Sequence, residues 1–97
     1  IHIEDTGSIT LNNKVSVQGK LGINVTNFSD DADLTIAGPM KVQGKKMQVG
    51  SGSPVEGSYR LGDIVWNNEP KPTGYVGWVC IREGSPGDWK PFGQIAS

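Results

Sequence analysis

The residues with the most chemical potential in this chain are few and scattered. His2 is the only histidine and Cys80 the only cysteine. Acyl-transfer or thiol chemistry needs a nucleophile, a base and a group that orients the base, all within hydrogen-bond reach. His2 stands at the chain start and Cys80 has no partner motif near it, so no catalytic residues are expected. The run Asp30-Asp31-Ala32-Asp33 supplies the oxygen ligands that calcium takes, but it reads better as an acidic turn. A zinc-ligand cluster and a phosphate-cradling Gly-x-x-x-x-Gly-Lys-Ser/Thr loop are both missing from the sequence. No metal and no cofactor are expected. The triplets Asn24-Val25-Thr26 and Asn27-Phe28-Ser29 match a glycosylation sequon at a level chance provides.

Aromatic rings are concentrated instead. Six of the seven aromatic residues lie between Tyr59 and Phe92, and these include Trp66, Trp78 and Trp89. The earlier part of the chain holds one aromatic, Phe28. The two parts cannot bury apolar surface in the same way.

Ninety-seven residues suit one domain, or an extended piece with one small module. A chain this short buries a modest core. The formal charge of −1 is evenly spread, which gives no field to steer nucleic acid or an anionic membrane surface. No apolar run approaches the roughly 20 residues that span a bilayer, and no signal peptide is visible. A lone cysteine excludes an intrachain disulfide, so Cys80 reads as a small buried hydrophobe. The chain starts at Ile1, in mid-pattern and without Met, and reads as a fragment or a processed product.

Residues 1–50 repeat. Shifted by 25 positions, Ile9-Thr10-Leu11 falls on Leu34-Thr35-Ile36, and Val15-Ser16-Val17-Gln18-Gly19-Lys20 falls on Met40-Lys41-Val42-Gln43-Gly44-Lys45. Each copy predicts two short strands with apolar residues at every second position, closed by Gln-Gly-Lys. Leu21, Ile23 and Val25 predict a further strand, and Met47 with Val49 another. Frequent Gly, Asn and β-branched residues argue against helix. A short repeat with one apolar face must stack on other repeats or on other chains. Two copies are too few for a solenoid. Identical chains around an axis are the economical solution, and closure would also remove exposed strand edges. A pair of hairpins in an ordinary sandwich is the plainer alternative. Ser51-Gly52-Ser53-Pro54 has turn composition, and a boundary is placed there. Residues 1–50 then form a β-strand ladder and residues 51–97 a compact module. Three strands are predicted in that module: Tyr59 to Trp66, Tyr75 to Arg82, and Trp89 to Ala96. Their near-continuous apolar runs predict cover on both faces.

Three segments of this module resemble a known block. They are Tyr59-Arg-Leu-Gly-Asp-Ile-Val-Trp66-Asn67, Gly74-Tyr75-Val-Gly77-Trp78-Val-Cys80, and Gly84-Ser-Pro-Gly87-Asp-Trp89-Lys-Pro-Phe92-Gly93-Gln-Ile95. In order and type they resemble the C-terminal block of bacteriophage tail-fibre, tailspike and preneck appendage proteins of the Bacillus-phage type. The resemblance covers about 37 residues. It implies a homotrimer, a location in the virion after assembly in the host cytoplasm, and a role in trimer registration and folding. In some members the segment is released by self-cleavage as an intramolecular chaperone. A second, weaker resemblance is to small chitin- and cellulose-binding modules, which lay aromatic rings on a flat face for sugars. It would make Trp66, Tyr75, Trp78 and Trp89 a glycan platform. The competing reading of these rings is a hydrophobic core.

The expected fold is therefore all-β: an extended trimeric ladder, of β-prism or triple-β-helix type, followed by a small antiparallel aromatic-cored module. Val15, Val17, Ile23, Val25, Leu34, Ile36, Val42 and Val49 are expected at the shared axis or its neighbours, with Trp78 in the trimer core. The expected partner is the chain itself, with a host cell-surface polysaccharide as a further candidate. Compact aromatic units would associate first and bring the ladders together at high effective concentration. The ladders would then pair without register slips.

Overall fold

The computed structural model describes residues 12–27 and 31–97. His2, Phe28, Asp30 and the first-copy segment Ile9-Thr10-Leu11 lie outside the described residues. The protein is all-β: seven strands in two sheets, with no helix among the described residues.

The first sheet joins β1 (Leu21–Ile23) and β2 (Leu34–Ile36) in parallel, with Leu21 beside Leu34 and Ile23 beside Ile36. Two flanking bonds lengthen this pairing, Leu21 N–H to the Asp33 carbonyl at 2.8 Å and Ala37 N–H to the Ile23 carbonyl at 3.1 Å. The two copies of the 25-residue repeat do not fold alike. Val15 to Val17, expected as a strand, forms none. In the second copy, β3 (Met40–Val42) and β4 (Lys45–Gly50) make a hairpin through Gln43 and Gly44. Both turn residues have positive φ, 49° and 85°, the geometry of a type I′ turn. In the first copy Gly19 is positive and Gln18 is not, so Gln-Gly-Lys closes no hairpin there. The segment after it, β1, pairs forward with β2 instead.

The second sheet runs β3-β4-β5-β6-β7, with β5 (Ile64–Asn67), β6 (Tyr75–Arg82) and β7 (Asp88–Gln94). It extends across the Ser51–Pro54 segment. The strands within residues 51–97 are antiparallel, whereas β4 joins β5 in parallel, with Met47 beside Ile64 and Val49 beside Trp66. The parallel connection from β4 to β5 lacks the helix that usually makes such a crossover. Tyr59 to Trp66 is not one strand. Tyr59 makes an isolated bridge to Gly84. A turn then closes from the Asp63 N–H to the Arg60 carbonyl at 3.0 Å. Gly62 supplies that turn's positive φ of 92°. On β6, Ile81 is the extra residue of a bulge between Cys80 and Arg82. Pro91 lies within β7, at one edge of the sheet.

The register sorts side chains onto two faces. One face carries Lys46, Asp63, Val65, Trp78, Cys80 and Trp89. The chain itself covers it, through Tyr59, whose ring meets Trp89 edge-on at 5.1 Å, and through the bridge to Gly84. Among the described residues, the buried apolar side chains are Val65 and Cys80, both 1% exposed, on this face. The other face carries Met40, Met47, Val49, Ile64, Trp66, Val79 and Phe92. Cover on both faces, expected of the three strands in residues 51–97, is incomplete: Trp66 and Tyr75 are exposed on this face, while Ile64, Val79 and Phe92 are half-buried; Met40, Val42 and Val49 beside them are exposed as well.

Candidate functional site

Face placement decides what the aromatic residues can do. Trp66 and Tyr75 belong to the open face and are 39% and 37% exposed. Trp78 and Trp89 belong to the covered face and are half-buried. The four rings considered for a sugar platform are thus divided between opposite sides of one sheet, two and two. On the covered side, Trp89 donates its Nε1–H to the Pro86 carbonyl at 2.8 Å, which fixes the ring over the Gly84–Gly87 connection. Trp78 stands between Val65 and Pro91 in the register. On the open side, Trp66 meets the edge of Phe92 at 5.8 Å.

The expected axis residues of the ladder are largely unburied in the single chain. Val15, Val17, Ile23, Leu34, Val42 and Val49 are exposed, and Val25 and Ile36 are half-buried. Val15, Val17 and Val25 lie outside the strands. Val42 and Val49 belong to the open face of the larger sheet. An apolar groove of about 510 Å³ runs from Ile36 and Pro39 across Met40, Met47 and Val49 to Trp66, so the end of β2 and the open face share one surface. Met40 and Met47 line this groove and Ile64 and Phe92 belong to the same open face, positions that no local sequence pattern assigns them. The alternation of Met47 and Val49 was visible; the parallel pairing that sets them beside Ile64 and Trp66 was not.

Among the described residues, Asp63 is the buried charged residue, 3% exposed, and lies on the covered face. Its Oδ1 accepts the Lys46 N–H and its Oδ2 the Arg60 N–H, each at 2.9 Å. Burial pushes this carboxyl up. The Arg60 and Lys46 N–H bonds and the Lys46 and Lys45 charges outweigh burial and hold it below the ordinary Asp value. The bond pair ties β4 to the Arg60–Asp63 turn, which makes Asp63 a fastening of the fold. Cys80 is a free, buried thiol whose Sγ lies 3.2 Å from the Arg82 carbonyl. Among the described residues, no three His, Cys, Asp or Glu residues gather as a metal site. No helix among them is long and apolar enough to cross a membrane.

The residues that carry the phage-block resemblance hold fold-defining positions. Gly62 and Asp63 make the turn and its fastening. A side chain at Gly77 would meet the Val65 carbonyl at 2.5 Å and the Phe92 ring at 3.1 Å. Gly87, at φ 83°, leaves no room for a Cβ against the Arg82 carbonyl. In comparisons with family models, curated proteins and solved structures, the chain matches none.

Proposed function

We propose that this chain is the C-terminal trimerisation and folding segment of a bacteriophage tail fibre or appendage, a virion component involved in host attachment. Three copies would associate through the open sheet face and the exposed ladder. In the parent protein the segment would act as an intramolecular chaperone, with release by self-cleavage as one route to maturity. The observation that supports this reading is an apolar sheet face that the single chain leaves exposed at Met40, Val42, Val49 and Trp66. Parallel pairing usually occurs in sheets buried on both sides, and large contiguous apolar surface on a soluble chain marks an interaction site. Identical chains also meet the need set by two repeat copies, too few to stack on themselves. Sedimentation of the purified chain tests this. The expected mass is about 31 kDa, three times the 10.4 kDa of one chain. A monomer at micromolar concentration overturns it.

A second reading is a carbohydrate-binding module for cell-surface polysaccharide. It rests on Trp66 and Tyr75, the two rings exposed on the same face. Polysaccharide pull-down with Trp66→Ala and Tyr75→Ala tests it; binding that survives both changes overturns it.

A further inference from the structure

We infer that the covered side of the larger sheet carries a second binding site, for an acidic saccharide, in the groove between the β3–β4 hairpin and the Tyr59–Gly84 bridge. It is a different surface from the open face and does not depend on Trp66 or Tyr75. The groove has a volume of about 690 Å³ and is lined by Lys41, Lys46, Ser58, Tyr59, Arg60 and Ser85, with Asp63 and Glu83. That volume lies within the range of small-molecule sites, roughly 300–1,000 Å³.

The charge arrangement calls for an anion. Lys41 and Lys46 are direct cross-strand partners in the hairpin, so both ammonium groups leave the sheet on the same side. Like charges directly opposite each other destabilise a strand pair. Arg60 adds a third cation at the groove wall. Asp63 attracts Lys46 and accepts the N–H groups of Lys46 and Arg60, one on each oxygen, and so offsets part of this positive charge. Among the described residues, no ion pair joins Glu83 to Lys41, Lys46 or Arg60. Three cations thus share the groove with two carboxylates, and no salt bridge ties Lys41 or Lys46 to either of them.

The site is also built in advance. Lys46 Nζ sits 4.4 Å from the Tyr59 ring centre and 3.4 Å from the Ser58 carbonyl, which holds its charge in place while leaving ammonium donors free. Tyr59 is itself fixed by its two backbone bonds to Gly84, at 2.9 and 3.2 Å, and by the Trp89 ring. Ser58 Oγ and Ser85 Oγ pair at 2.9 Å, and both residues line the groove. Fixed cations suit one anionic group, while the hydroxyl pair and the roomy polar lining suit the hydroxyls of a sugar attached to it. The anionic group of the sugar, a carboxylate or a phosphate, sits between Lys41 and Lys46, with Arg60 in reach.

Calorimetric titration of the purified chain tests this with four probes: a galacturonic acid oligomer, glucose 6-phosphate, a neutral glucose oligomer, and inorganic phosphate. Binding of either acidic sugar, with the neutral oligomer inert and inorganic phosphate at least tenfold weaker, is the expected result; which acidic sugar binds identifies the anionic group. The double variant Lys41→Gln, Lys46→Gln should lose at least tenfold in affinity. Lys71→Gln, away from the groove, should lose none. Failure of both acidic sugars to bind overturns the proposal, as does equal binding of the neutral oligomer, equal binding of inorganic phosphate, or equal loss in the Lys71 variant. Near-ultraviolet circular dichroism confirms that the double variant keeps its fold. Oligomeric mass is measured in the same samples, so loss of sugar binding is distinguished from loss of assembly.

Discussion

Trp66 and Phe92 meet edge to face, 5.8 Å apart, across a strand in which both have the same partner, Gly77. Neither ring could take this position over a larger residue. The strand between them contributes backbone alone, and the two aromatic residues close the gap from either side. Gly77 is buried for this reason, although it has no side chain to bury.

Replacing Gly77 with Ala should therefore destabilise the larger sheet. The added carbon would stand 2.5 Å from the Val65 carbonyl oxygen, and a backbone atom cannot step aside as a flexible side chain can. A loss of about 1–3 kcal/mol is expected, the range of overpacked cores. Urea denaturation at fixed protein concentration measures it. Unchanged stability would mean that Trp66 and Phe92 do not clasp β6 as described.

Asp63 should make stability depend on acid. Its folded value lies below 3.8, so its contribution is complete above that value and is lost as pH falls through the lower, folded one. Protonation removes the charge that the Lys46 and Arg60 N–H groups stabilise. Asp63→Asn should cost about 1–3 kcal/mol at neutral pH, because one buried donor loses its acceptor. It should also flatten the acid limb of the stability curve. Thermal unfolding of both proteins between neutral pH and pH 2 checks the sign and the window.

Val49→Asp separates assembly from folding. Val49 is 68% exposed, so a single chain should tolerate the change within about 0.5 kcal/mol. Against a second copy the carboxylate would be buried without a partner. If three copies close on the open face as proposed, the unchanged chain should sediment as a trimer and the variant as a folded monomer. A trimer of normal stability would remove the open face from the interface.

Trp89→Phe should keep the edge-on contact with Tyr59 and lose the bond to the Pro86 carbonyl. About 1 kcal/mol is expected, as for an ordinary hydrogen bond. The Gly84–Gly87 connection should exchange its amide hydrogens faster, which hydrogen exchange at Gly84 and Gly87 would show.

Local features were legible in the residues, and long-range pairing was not. Tyr75–Arg82 is read from its apolar run with the bounds the structure gives it, and Gly62 and Gly87 mark turns that demand positive φ. The third strand begins one residue earlier than read and ends at Gln94 rather than Ala96. The alternation of Tyr59 with Leu61 predicts a strand that includes Tyr59. Tyr59 instead leaves the sheet and bridges to Gly84 across the Arg60–Asp63 turn. The repeat was legible as sequence but not as structure, because Val15 to Val17 and Met40 to Val42 meet different surroundings. Lys41 beside Lys46 was available from the Gln43-Gly44 turn, since a two-residue hairpin fixes its own register. Met47 beside Ile64 was not, because no local rule chooses a partner strand 17 positions away.

Lys46 and Met47 are adjacent in β4 and leave it on opposite sides. The groove and the open face are therefore back to back, one sheet apart, in every chain. An assembly that closes three Met47 faces together must turn three Lys46 grooves outward. A sugar chain with anionic groups at the matching spacing would then engage several grooves at once. Each encounter could be weak and brief while the proposed three-chain assembly stays bound, because multivalent engagement raises avidity without any new contact. The alternation of two neighbouring side chains would in that way set the valency of attachment.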